Sequence, residues 1–421
     1  MKLKTLKPRL PKWKKNYRAI PQAKILKSVA SAPGKIILFG EHFVVHGTDA
    51  ILAAIDKRVT VTSSFTDNNT IKVNSQLGTI EVPIDQSWGE RPFAWRQGKP
   101  YDKDFPEIPK EITDIGTFAP FVYLARMFWD LMRVRKENGE IQPVFDKSGL
   151  EITIDSDIPV GVGLGSSSAS CVAATASITN LFIKSGFVDQ SGYYSGSSAG
   201  KLGLALLIEG DVRWKTTREF IQTKAIMAER TIFPDTSGAD CEICTNGGCS
   251  YHWNRKSNEP SRCAPSVHWH MDCDLSDINL VIANSMTPHS TKDSVERVKR
   301  FKENNEERFS QLCKLEMKLI GEANSVLYRG RTDYTLLGEK MSENQKYLEE
   351  IQVSNDTLRG MIRSLKEISL GTKITGAGDG GCIIALVEDE NMDKVPELLG
   401  KDKECFSAKI DRKGVVWEIE K

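Results

Sequence analysis

Residues 159–174, PVGVGLGSSSASCVAA, restrict this chain more than any other stretch. The residues before them, 150–158 (LEITIDSDI), alternate apolar and polar like a strand, and the residues after them are small and apolar with helical propensity. Strand, glycine turn and helix in that order make a cradle for phosphate. Gly161, Gly163 and Gly165 let the backbone turn tightly and bring its N–H groups up to an anion, with Val162 and Leu164 between them. The helix that follows adds its positive N-terminal end. Ser166, Ser167 and Ser168 offer hydroxyls to phosphate oxygens or to a magnesium ion.

A chain of 421 residues exceeds what one hydrophobic core usually organises, so two domains are expected. The net charge is +1, yet residues 1–28 carry ten Lys or Arg and no acid, which leaves 47 basic against 56 acidic residues elsewhere. A body near −9 does not suit general nucleic-acid binding. The basic tail reads as a solvated arm; its preference for Lys over Arg and its shortage of Ser argue against a transit peptide. No apolar run reaches membrane-spanning length and no secretory segment opens the chain, so a cytoplasmic protein with no membrane partner is expected. Nine cysteines without a framework fit reduced thiols. Cys241, Cys244, Cys249 and His252 hint at zinc, but no second CxxC follows, and the run alternates like a strand beside the Gly247-Gly248 turn.

Along the chain, residues 29–47 predict a strand or hairpin punctuated by Gly34, Gly40 and Gly47. Lys35, Glu41, His42 and His46 interrupt its buried-looking apolar run, and charges so placed need partners or a task. Residues 51–65 and 70–84 predict strands of an antiparallel sheet, 88–117 a long surface excursion, and 119–135 an amphipathic helix. Residues 186–200 read as a connector before a helix over 201–214. Glu229 falls in a helical segment that Pro234 ends, and Asp240 sits on a tight turn expected to precede a strand. Two carboxylates, one to hold a metal and one to take a proton, are what magnesium-dependent phosphoryl transfer requires. Residues 278–283 predict a strand, 290–327 and 334–370 long helices, and 373–382 (KITGAGDGGC) another glycine loop before a strand. That order suggests a smaller α+β domain.

Four segments together resemble the GHMP kinase superfamily, and within it the mevalonate kinase branch. They are SAPGKIILFGEHFVVHG (31–47), PVGVGLGSSSAS (159–170), ERTIFPDTSGAD (229–240) and KITGAGDGGC (373–382). The resemblance implies an α+β, two-domain fold. Residues 29–275 would form a half like the second domain of ribosomal protein S5, residues 276–421 a ferredoxin-like half, and the active site would lie in the cleft between. It implies transfer of the γ-phosphoryl group of ATP to the C5 hydroxyl of mevalonate, with Mg2+ as cofactor. By the same resemblance Asp240 is the base and Lys35 its cationic partner, Ser167 and Glu229 hold Mg2+, and residues 161–167 cradle the phosphates. Gly376, Gly378 and Gly380 close the wall nearby, while Glu41, His42 and Thr291 meet the acceptor.

The chain departs from the family pattern at three places. Asp379 stands for a glycine, His289 for an arginine, and Asp235-Thr236 for Asn-Pro. A GHMP kinase for another alcohol (a sugar, phosphomevalonate or homoserine) and a non-catalytic nucleotide sensor are the competing readings; retention of Lys35, Glu229 and Asp240 together weighs against the second. No GxxxxGK[ST] is present, so a P-loop NTPase is excluded. Oligomeric state, a homodimer included, stays open.

Overall fold

The computed structural model describes residues 26–84, 110–131, 133–135, 141–143, 149–184, 217–234, 236–253, 267–271, 273, 275–288, 290–327 and 332–417. The basic tail, most of the 88–117 excursion, the 186–214 connector and helix, Asp235 and His289 lie outside the described residues.

The chain opens with β1 (Lys27–Phe39) and β2 (Ala50–Thr66), joined by the GEHFVVHG turn, then the hairpin β3 (Thr70–Ser75) and β4 (Gly78–Pro83). Next come α1 (Lys110–Thr113), α2 (Ala119–Leu131), the small pair β5 (Arg133–Arg135) and β6 (Ile141–Pro143), and β7 (Gly149–Ser156). The helix expected over 119–135 therefore stops at Leu131, and its last residues form a short strand. The glycine turn leads into α3 (Ser166–Lys184), followed by α4 (Thr217–Glu229), α5 (Ala239–Asn246), β8 (Cys249–Trp253) and β9 (Val267–Met271). Apart from β5 and β6, which pair with each other, these strands join the last strand, β14 (Val416–Trp417), in an eight-stranded sheet whose main path runs β14-β1-β2-β7-β3-β4, with β8 on β2 and β9 on β8. It is antiparallel except where β3 runs parallel to β7. On the edge away from β1, the long β2 serves two partners, β7 along residues 59–66 and β8 along 50–53.

Helix α3 is buried from Ser168 to Phe182 except at Ser170, which explains its composition. Ala, Ser, Thr and Cys allow close approach to the sheet, and each hydroxyl in so dry a place needs a partner. Thr175 and Thr179 donate to carbonyls one turn back, while Ser177 reaches Ser28 O at 2.9 Å.

The second half begins with β10 (Asn279–Asn284) and continues through α6 (Thr291–Asn304), α7 (Glu306–Leu327), α8 (Tyr334–Glu350), α9 (Asp356–Leu365), β11 (Ser369–Thr375) and β12 (Cys382–Val387). It ends in α10 (Val395–Leu399), β13 (Glu404–Ala408) and β14 (Val416–Trp417). Strands order as β11-β12-β10-β13 in an antiparallel sheet. Helix α8 lies against β11 at backbone contact, since a Cβ on Gly371 would stand 2.0 Å from Gly338 O. The expected α+β class is observed. The final strand does not stay with the second sheet: β14 pairs antiparallel with β1 through Ala30 and Ser31. Arg58 on β2 ties this return down, donating to Ser31 O at 2.9 Å and Gly414 O at 2.7 Å and pairing with Asp411.

The halves meet along β1 and β11. Thr375 Oγ1 accepts from Ile37 N at 3.0 Å and donates to Ile37 O at 3.1 Å, inserting one side chain into the edge of β1. Gly163 and Gly376 face each other across the same junction, 3.6 to 3.7 Å from a Cβ on Gly163 to the opposing backbone. The first and third glycine loops are therefore two walls of one cleft.

Candidate active site

Each wall of the cleft follows from local backbone rules. Gly161, Gly163 and Gly165 all take positive φ, at 74°, 86° and 75°, a region where an L side chain is strained. Gly165 has a steric reason as well, because a Cβ there would lie 2.6 Å from Lys35 Cγ. The turn places Ser166 and Ser167 in the first turn of α3, where Ala169 N is already bonded to Gly165 O. The N–H groups ahead of it point out of the helix end, as an anion site needs.

Lys35 lies across this loop. Its backbone N–H donates to Leu164 O at 2.9 Å, and its Nζ stands 3.0 Å from Asp240 Oδ2. The lysine side chain is 6% exposed and the aspartate 37%, so the carboxylate is the member of the pair that an acceptor can reach. Asp240 does not sit before a strand as the spacing suggested. Gly238, at φ 81°, breaks the chain after Pro234, and residues 239–246 form α5 with Asp240 in its first turn. A carboxylate there is favoured by the helix dipole. The same helix carries Cys241 and Cys244 into the core, and the predicted alternation holds only from Cys249 in β8.

Glu229 ends α4, 4% exposed. Within the protein itself, the hydroxyl bonded to Glu229 Oε1 is that of Ser168, one residue along α3 from Ser167. Ser167 is half-buried beside it. Glu229 Oε2 accepts from Thr236 Oγ1 at 2.9 Å and Cys241 Sγ at 3.5 Å. The Thr236 departure thus supplies a ligand to the carboxylate. Burial, then the charge of Asp240, pushes the Glu229 carboxyl up, against these three hydrogen bonds. Among the described residues no cationic side chain pairs with it in a salt bridge.

The GEH segment is held from the far side of the cleft. Glu41, 1% exposed, is ion-paired with Lys373 of β11, and its Oε2 has no hydrogen-bond partner among the described residues. His42, at φ 62°, places its Nε2 2.9 Å from Ala377 O in the third glycine loop. The carbonyl can only accept a hydrogen bond, so Nε2 carries the proton and donates; burial lowers the ring's pKa and favours this neutral tautomer. Thr291 opens α6 with its side chain exposed. It meets the cleft only through its helix, where Ser294 Oγ lies 3.5 Å from Gly378 O.

In the third loop, Gly376 faces Gly163, and Gly378 (φ 69°) is pressed so close to Val353 O that a Cβ would stand 2.3 Å away. Gly378→Ala combines a backbone strain with a collision against backbone, so a loss of about 2 kcal/mol or more is expected, read by chemical denaturation. Asp379, also at positive φ (60°), does not leave its charge bare towards the cleft: Arg297 Nη2 of α6 lies 2.7 Å from Asp379 Oδ2. Sequence reasoning passed over Arg297 and Lys373, and named Ser168 only as one of three serines and Thr236 only as a departure; the structure joins each to a residue already singled out.

Comparison with known proteins agrees with this geometry. The GHMP kinases N terminal domain family matches residues 123–191 and the GHMP kinases C terminal family residues 323–399. Mevalonate kinase of Candida albicans is 27% identical over 415 residues, covering 93% of this chain and 89% of its own length. Mevalonate kinase of Thermococcus sibiricus is 28% identical over 395 residues, covering 93% and 98%. The fold is shared with the crystal structure of Methanococcus jannaschii mevalonate kinase at a TM-score of 0.64 and 22% identity, over 93% of this chain and 100% of that one. It is shared as well with L. major mevalonate kinase in complex with R-mevalonate, at a TM-score of 0.63 and 20% identity over 92% and 97%. The chain thus matches the two GHMP kinase family models in order, and the relatives it resembles along most of its length are mevalonate kinases.

Proposed function

We propose that this protein transfers the γ-phosphoryl group of ATP to the C5 hydroxyl of mevalonate. The observation that carries the reading is the Lys35–Asp240 pair, 3.0 Å apart, set beside the three-glycine turn at the mouth of α3. Phosphoryl transfer asks the protein for position and charge more than for covalent chemistry. Asp240 accepts the proton of the acceptor hydroxyl. Lys35 offsets the negative charge that grows on the oxygen and on the transferring group, which lowers the free energy of removing a proton from a weakly acidic alcohol. The N–H groups of residues 161–167 hold the β- and γ-phosphates. Glu41 and His42 orient the acceptor, and Gly376 and Gly378 keep the opposite wall close to the phosphates.

The donors present fit magnesium. Among the described residues no group of three or more His, Cys, Asp or Glu forms a metal cage by itself. A hard cation held by one carboxylate, a hydroxyl and the nucleotide's own phosphates needs none. Glu229, buried beside Asp240 and without a salt-bridge partner, is the carboxylate, and Ser167 the hydroxyl, with Ser168 and Thr236 fixing Glu229 in place. When bound, the ion neutralises phosphate charge. Its removal by chelation is expected to stop turnover. No helix of the described residues is long and apolar enough to cross a membrane; a cytoplasmic site of action and small-molecule partners, ATP and mevalonate, accompany the proposal.

A coupled ADP-release assay across mevalonate, phosphomevalonate, homoserine and a hexose tests it. Turnover with mevalonate at least about tenfold above the others in kcat/KM is expected. Faster release with another alcohol would move the assignment to that acceptor, and ADP release with none would remove the kinase reading.

A further inference from the structure

Three successive residues of the acceptor turn are each gripped from the second half of the chain. Gly40 N donates to Glu316 Oε1 of α7 at 3.0 Å, Glu41 pairs with Lys373 of β11, and His42 Nε2 donates to Ala377 O at 2.9 Å. Lys373 is 0% exposed and its Nζ also donates to Ile374 O at 2.7 Å, so the ammonium is fixed before it meets the carboxylate. Glu316 is itself fixed, with Asn344 Nδ2 at 2.8 and 2.7 Å from its two oxygens. Glu41 sits within the field of both lysines, Lys373 and Lys35.

A buried ion pair is weak evidence for stability, because removing two charges from water offsets most of their attraction. Such a pair serves best where it holds one atom in a required place. Glu41 offers that atom: Oε1 is taken by Lys373, while Oε2 is buried and has no hydrogen-bond partner among the described residues, an arrangement that is unfavourable until a donor arrives. Near Lys35, the donor that fits is a hydroxyl of the acceptor.

We propose that Lys373 is a positioning residue for the acceptor: by holding Glu41 Oε1 across the junction of the two halves, it presents Glu41 Oε2 to a hydroxyl of the alcohol that is phosphorylated. The proposal rests on the kinase reading above. It predicts that Lys373 governs acceptor affinity through Glu41 and leaves nucleotide affinity alone, since the glycine turn that holds the phosphates contacts Lys35 and Gly376 instead.

The test is a double-mutant cycle with Lys373→Met and Glu41→Gln, reading the KM of the acceptor, the KM of ATP and kcat. Lys373→Met is expected to raise the acceptor KM about tenfold or more, the size of a lost charge-assisted hydrogen bond, with the KM of ATP changed less than about twofold. In the Glu41→Gln background the same substitution is expected to have little further effect, and Lys373→Arg is expected to recover part of the loss. Independent multiplication of the two effects, equal shifts in both KM values, or an unchanged acceptor KM would each overturn the proposal. Where Lys373→Met fails to fold, Lys373→Gln, which still donates one hydrogen bond, is read by the same criteria. The series is run with whichever alcohol the wild type phosphorylates. A wrong acceptor assignment then shows in the wild type, and a wrong role for Lys373 only in the variants.

Discussion

Asp240→Asn is expected to lower kcat about a thousandfold or more while the affinity for ATP stays within about twofold of wild type. The amide keeps the size and position of the carboxylate, so α5 and its approach to Lys35 persist, but it cannot take the proton of the acceptor hydroxyl. Lys35 loses its partner at 3.0 Å and keeps its charge, so nucleotide phosphates still meet a cation. Single-turnover ADP formation measures the first quantity and nucleotide titration the second. A variant that turns over near the wild-type rate would remove Asp240 from the chemistry. One that binds no ATP would show instead that the Lys35–Asp240 pair shapes the nucleotide site.

Glu316→Gln is expected to stabilise the protein, and increasingly so as the pH rises. Burial first, and the charge of Glu41 second, push the Glu316 carboxyl up to about 8 from its ordinary 4.5. Between those values the folded protein keeps a proton that the unfolded chain has released. Stability therefore falls as pH rises through the window from 4.5 to 8 and levels off above it. The full shift corresponds to an upper bound of about 5 kcal/mol. Glutamine does not titrate, and its oxygen can still accept from Gly40 N. Its amide can donate to Asn344 Oδ1, which has no partner among the described residues of the wild type. Denaturant unfolding of both proteins at pH 5, 6.5 and 8 gives the result. A stability difference that stays constant across the three values would show that Glu316 does not titrate in this window.

Much of the site was legible because its residues break the pattern of their surroundings. Lys35 interrupts an apolar strand, the glycines recur at alternate positions, and Glu229 and Asp240 flank a proline and a glycine. Lys373 met the same criterion, a charge inside a run that becomes β11, and was overshadowed by the glycines after it. Glu316 was harder to find, since α7 is charged around most of its circumference; only its phase with Leu312, Leu319 and Ile320 puts it on the buried face. Ser168 was visible but indistinguishable from its two neighbours, because choosing among three successive serines requires the rotation of the helix. Thr236 was noticed only as a departure, and its use as a donor depends on how residues 230–238 fold back over Glu229. The strand boundaries near Asp240 failed for a related reason. Cysteines suit helix and strand alike, and the αL glycine that starts α5 reads as a turn in either case.

The antiparallel pairing of Ala30 with Trp417 has a consequence for biogenesis. β1 carries Lys35, and at Ala30 and Ser31 its edge stays open until β14, far along the chain, has been synthesised. An open edge is a template for pairing with another chain. Until then the Ala30–Ser31 edge of this strand is exposed to wrong partners, and the short β14, latched by Arg58 onto Gly414 O and Asp411, is the seal that ends that period.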